Sequence, residues 1–173
     1  MAIEHHFYID TAAGRHELCD ALVRAGIGFE VDLDWENTSG VSSVATNVVI
    51  RDALRDGEGR LDNGVMATCS VMFRDRKAYL SNPELEGQFE VQTVLGIMVL
   101  LKAYPEADAY WLAYDAERPM LLRQGGRLVL SQAQSELKRH WDAKHQSFCA
   151  LIDLPYTVEP LGPWNYVPIK VRG

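Results

Sequence analysis

An excess of positive charge is missing from this chain: 17 Lys and Arg stand against 24 Asp and Glu, for a formal net charge of −7. Phosphate recognition needs clustered basic side chains, so the composition argues against a nucleic-acid or anionic-membrane partner. Cysteine is sparse as well. Cys19, Cys69 and Cys149 are far apart, odd in number and lack any CxxC or Cys/His spacing suited to zinc. They read as reduced, mostly buried thiols. The longest apolar run, residues 94–101, is too short to cross a bilayer. The opening Met-Ala-Ile-Glu-His-His lacks the basic and apolar stretches of a secretory signal. These absences predict a cytoplasmic protein that folds without disulfide or metal. Catalytic signatures are missing too: no Walker A, GxGxxG, GxSxG or HExxH pattern occurs, and no cofactor is expected. Gly125-Gly126 falls within a hairpin rather than between strand and helix, so it is no phosphate loop.

What is present is ordinary globular composition, 47% apolar and 24% charged, over 173 residues. A chain of that length buries roughly 70% of its unfolded surface as one domain. Its most informative stretch is residues 29–36, Phe-Glu-Val-Asp-Leu-Asp-Trp-Glu, a strict alternation of apolar and acidic side chains. On a regular strand Phe29, Val31, Leu33 and Trp35 would share one face, packed on the core. Glu30, Asp32, Asp34 and Glu36 would share the other, with neighbouring carboxylates about 6.6 Å apart and repelling one another.

Elsewhere, residues 2–9 alternate as a strand, with His5 on the apolar side and Glu4, His6 and Tyr8 on the other. Asp10-Thr11 offers a helix N-cap, Leu18, Ala21, Leu22 and Ala25 follow helical spacing, and Gly26 ends the helix. A turn at residues 37–40 precedes strands at 41–50 and 65–74, joined by a long acidic loop. Ser81 and Glu84 suit a capping box, and Pro83 a first helical turn. That helix should run to about Tyr104, before Pro105, and be the most buried. Strands follow at 109–114, 120–123 and 127–130, the last two joined at Gln124-Gly125-Gly126. Ser131 can cap a third helix carrying Leu137, Trp141 and Phe148, and residues 155–173 form an extended, Pro-rich tail. Without βαβ alternation, this order predicts a single α+β domain over residues 1–173: a mainly antiparallel sheet with the two longer helices on one face.

Three readings of the acidic strand stay open. Arginines on neighbouring strands could pair with it, a basic protein could dock on it, or its carboxylates could serve a metal or acid/base site. If the first two strands were neighbours, His6 would face Glu30 or Asp32, the minimum for general-base work. His16, His140 and His145 have no suggestive partners. The loop at 51–64 gathers Asp52, Asp56, Glu58 and Asp62 with three glycines. Counted from Asp52, its third position is Leu54 and its twelfth Asn63, which fails the EF-hand pattern, so no metal is assigned. Tyr110, Trp111 and Tyr114 read as core and rim aromatics rather than a base-stacking platform.

Several segments resemble the third immunity type of the bacterial Sit swarm-inhibition system. They are the opening strand Met1-Ala2-Ile3-Glu4 with a short helix ending at Gly26, the helix end at 94–102, and Ala113-Tyr114-Asp115. The likeness continues through residues 121–130 (Leu-Leu-Arg-Gln-Gly-Gly-Arg-Leu-Val-Leu) and Leu154-Pro155-Tyr156. The resemblance implies a cytoplasmic, non-enzymatic protein that neutralises a sibling toxin by tight binding, and it carries no catalytic positions. Complementary charge would speed encounter with a basic toxin. The residues expected to meet it are Glu30, Asp32, Asp34, Glu36, Asp52, Asp56, Glu58 and Asp62. The alternatives are a metal-dependent or acid/base enzyme using His6 with Glu30 and Asp32, or a small-molecule-binding domain.

Overall fold

The computed structural model describes residues 3–52, 67–113, 118–136 and 147–161. Strand β1 (Glu4–Asp10) buries His5, Phe7 and Ile9 and leaves Glu4, His6, Tyr8 and Asp10 half-buried, as its alternation requires. Helix α1 (Arg15–Arg24) buries Leu18, Cys19, Ala21 and Leu22, and stops where Gly26 takes φ 70°. Its N-cap is Gly14 rather than Asp10-Thr11. Thr11 is held on the sheet by Thr68, whose hydroxyl accepts from the Thr11 N–H at 2.9 Å and donates to its carbonyl at 2.7 Å.

Strands β2 (Glu30–Trp35) and β3 (Thr38–Ser42) form a tighter hairpin than expected, turning at Glu36-Asn37 with Asn37 at φ 57°. Gly40 therefore lies inside β3, where an added Cβ would sit 3.1 Å from the Val48 carbonyl oxygen and 3.3 Å from Leu33 Cβ. The predicted strand at 41–50 is two strands, β3 and β4 (Thr46–Asp52). Ser43 breaks it: its hydroxyl accepts from the Thr46 N–H at 3.1 Å, and its own N–H donates to the Thr46 carbonyl at 2.8 Å.

Strand β5 (Cys69–Asp75) leads through two 3-10 turns to α2 (Gln88–Ala103). The expected Ser81–Glu84 box is replaced by Asn82, whose side chain accepts from the Glu84 N–H at 3.2 Å. Gly87, at φ 82°, interrupts the helix before it starts in earnest. As predicted, α2 is deeply buried, with Phe89, Thr93, Val94, Ile97, Met98, Leu100 and Leu101 inside. Gly96 lets it approach the sheet closely, because a Cβ there would lie 2.7 Å from the Phe73 ring.

The remaining strands are β6 (Asp108–Ala113), β7 (Arg118–Gln124) and β8 (Arg127–Ser131), with Gly125 and Gly126 at φ 58° and 79° in the predicted hairpin. Ser131 caps α3 (Gln132–Ser135) as expected. Leu137 and Trp141 lie outside the described residues. Phe148 belongs instead to a 3-10 helix, with its ring edge-on to Trp111 at 5.3 Å. In the tail, β9 (Thr157–Glu159) adds parallel to β8, while every other pairing is antiparallel.

The nine strands stand in the order β2-β3-β4-β5-β1-β6-β7-β8-β9, in one mainly antiparallel sheet. With α1 and α2 contributing to a single core cluster against it, this is the expected α+β domain. Each fully buried aromatic or aliphatic side chain there stabilises the fold by about 1.5–3 kcal/mol. Two buried polar groups tie the core together. His5 Nδ1 accepts from Trp111 Nε1 at 3.1 Å, the hydrogen-bonded core role its apolar face implied. Arg123, 4% exposed, donates to the carbonyls of Ala107, Leu101 and Tyr104 at 2.7, 2.8 and 2.5 Å, closing the C-terminal end of α2. No described helix is long and apolar enough to cross a membrane.

Candidate functional site

Strand β2 is the end strand of the sheet, and all six of its side chains are exposed. This overturns the expectation that Val31, Leu33 and Trp35 sit in the core. They are 67%, 39% and 72% exposed, and only Phe29, just before the strand, is buried. An end strand has one neighbour in the sheet, and α1 reaches it only through Arg15 and His16, at Asp34 and the Trp35 carbonyl.

The carboxylates do not share a face either. Pairing with β3 runs Glu30↔Ser42 and Val31↔Val41, then shifts between Val31 and Leu33, and resumes as Leu33↔Gly40, Asp34↔Ser39 and Trp35↔Thr38. Asp32 is the extra residue of a β-bulge, which inverts the alternation beyond it. Residues directly opposite each other share a face. Val31 therefore lies with buried Val41 on the helix side, joined after the bulge by Asp34 opposite buried Ser39. Glu30, Leu33 and Trp35 lie on the opposite, open side.

The structure brings Asp34 and Asp52 together through a residue the sequence did not flag. Arg15, the first residue of α1, donates through its backbone N–H to Asp52 Oδ1 at 2.9 Å and through Nη1 to Oδ2 at 2.7 Å. Its Nε donates to Ser39 Oγ at 3.1 Å, and Nη2 lies 3.9 Å from Asp34 Oδ1. Burial would raise the Asp52 pKa, but the bonds and charge of Arg15 outweigh it and hold the carboxyl below its ordinary range. Asp52 thus serves as a structural cap for α1. No ion pair forms to Glu30, Asp32 or Glu36 among the described residues. Asp56, Glu58 and Asp62 lie outside the described residues.

Strand order dismantles the proposed His6 constellation. β1 and β2 are separated by β3, β4 and β5, about 19 Å at ordinary strand spacing, so His6 cannot meet Glu30 or Asp32. Its imidazole instead lies 3.5 Å from Glu4 and stacks on Tyr8. A second constellation, invisible in sequence, sets His16 Nδ1 3.3 Å from Ser39 Oγ and its Nε2 3.8 Å from Asp34. The residue types suggest a hydrolytic triad, yet Ser39 is 2% exposed and Asp34 is beyond hydrogen-bond reach. The buried thiols offer no nucleophile. Burial, aided by Asp20, pushes Cys19 up to about 11, and burial with the Asp52 carboxylate pushes Cys69 up to about 12. Among the described residues no group of three His, Cys, Asp or Glu is placed to hold a metal ion.

The sheet edge at β2 thus exposes Val31, Leu33 and Trp35 beside Glu30, Asp32 and Glu36, which form no ion pair among the described residues. Compared with known protein families, curated proteins and solved structures, the chain matches none.

Proposed function

We propose that this chain is a non-enzymatic binding protein that neutralises a basic protein partner, and specifically an immunity protein against a toxin of sibling cells. The observation that carries the reading is the exposed β2 edge, where Trp35 is 72% exposed beside Glu30, Asp32 and Glu36. Large apolar side chains left in water on a rigid scaffold mark protein interaction sites, and aromatics among them often dominate binding energy. Net charge of −7 favours rapid encounter with a basic surface. The sequence resemblance to Sit immunity proteins supplies the toxin as the partner class. A cytoplasmic location follows from that reading.

The test is co-expression with the product of the adjacent gene. That product should arrest growth alone, and this chain should restore growth and form a stable complex with it. A harmless neighbour, or growth arrest that this chain does not relieve, would sink the immunity reading.

A further inference from the structure

We infer that β2 receives an extended segment of its basic partner as a tenth strand, by main-chain pairing along its free edge. This rests on the binding-protein reading above and specifies how the partner is held. β2 ends the strand order and pairs only with β3 among the described residues, so half of its backbone N–H and C=O groups point away from the sheet. Leu33 and Trp35 stand on the open face, where an added strand would lay alternate side chains against them. Val31 and Asp34 offer the same on the helix side. A helix docked on this edge would leave those backbone groups unmatched; a strand satisfies them.

Charge selects the occupant. Residues 30–36 carry four carboxylates and no cation, β3 carries no basic residue, and β4 carries only Arg51, opposite Thr38. Arg15 is held by Asp52 and Ser39 and reaches β2 only at the Trp35 carbonyl and, loosely, at Asp34, so Glu30, Asp32 and Glu36 meet no cation among the described residues. A second copy of β2 would set acidic strands side by side at about 4.8 Å, a repulsive pairing. Lysine or arginine alternating with apolar residues gives the complementary pattern, its cations facing Asp32 and Asp34 and its apolar side chains covering Leu33 and Trp35. The bulge at Asp32 adds register: a flat strand pairs on one side of it, and continuous pairing requires an offset in the partner.

The test uses the full chain and a labelled synthetic peptide of alternating lysine and valine. Its control is the same peptide N-methylated on alternate backbone nitrogens, which keeps charge but removes main-chain donors. The first peptide should bind, weaken as salt rises, and slow amide exchange along β2. N-methylation should weaken it by about tenfold or more, and Asp32→Lys, which reverses a carboxylate the peptide's cations face, should weaken it through charge. Equal binding of the methylated peptide would overturn strand addition, as would protection appearing away from β2. Sedimentation of the free chain as a dimer with β2 protected would assign the edge to a second copy and also overturn it. The growth assay judges the immunity reading independently, since it can fail while the peptide still pairs with β2.

Discussion

Asp52, at the end of β4, receives two hydrogen bonds from Arg15, one from the first helical N–H of α1 and one from its guanidinium. A single carboxylate therefore caps the helix and pins it to the sheet. Asp52→Ala should cost about 1.5–3 kcal/mol at pH 7. Because the folded carboxyl is held below its unfolded value, its contribution is complete above pH about 3.9 and lost as pH falls through the folded value. Urea unfolding of both proteins at neutral and strongly acidic pH checks this. A stability gap unchanged by acid would contradict it.

Gly96 and Phe73 set the distance between α2 and the sheet. Gly96→Ala should improve helix propensity by about 1 kcal/mol yet lower net stability by about 1–3 kcal/mol, since the methyl meets a buried ring at 2.7 Å. Adding Phe73→Leu should recover part of the loss. Simple additivity in a double-mutant cycle would show that the two positions do not collide.

Arg123 satisfies three carbonyls from beneath the end of α2. Arg123→Met keeps the packing volume but orphans those acceptors, and should lose about 3 kcal/mol or more. Arg123→Lys should rescue little, because one ammonium cannot reproduce the planar fork. Chemical denaturation of the pair decides; near-complete rescue by lysine would mean that charge alone matters.

Thiol reactivity should divide the cysteines. Cys19 and Cys69 are buried, with ionisation pushed up to about 11 and about 12, whereas Cys149 is only half-buried. Alkylation of the native chain near pH 8, followed by mass spectrometry, should modify Cys149 first and the other two only on unfolding. Early modification of Cys69 would contradict the burial of β5.

Locally determined features were legible in the sequence. The alternation of β1, the Gly26 stop, the Gly125-Gly126 hairpin and the Ser131 cap each depend on a few adjacent residues. The faces of β2 were not legible, because one bulged residue inverts every side chain after it. Nor was its exposure, which follows from strand order rather than composition. His6 failed as a partner of Glu30 for the same reason. The Arg15 cluster was hidden because Ser39 and Asp52 come from segments 24 and 37 residues away, joined only when α1 folds over β3 and β4.

The two ends of the sheet also differ in the chain distance they must close. At one end β2 meets β3 through a two-residue turn, while at the other Val129 pairs in parallel with Thr157. Short closures form early and long ones wait for the rest of the chain. The β2 end should thus be the early-forming margin of the molecule and β9 the late one. If β2 receives a partner strand as proposed, that edge is in place before the opposite margin has closed. Pulsed amide labelling during refolding, with protection reaching β3 before β9, would show that sequence of events.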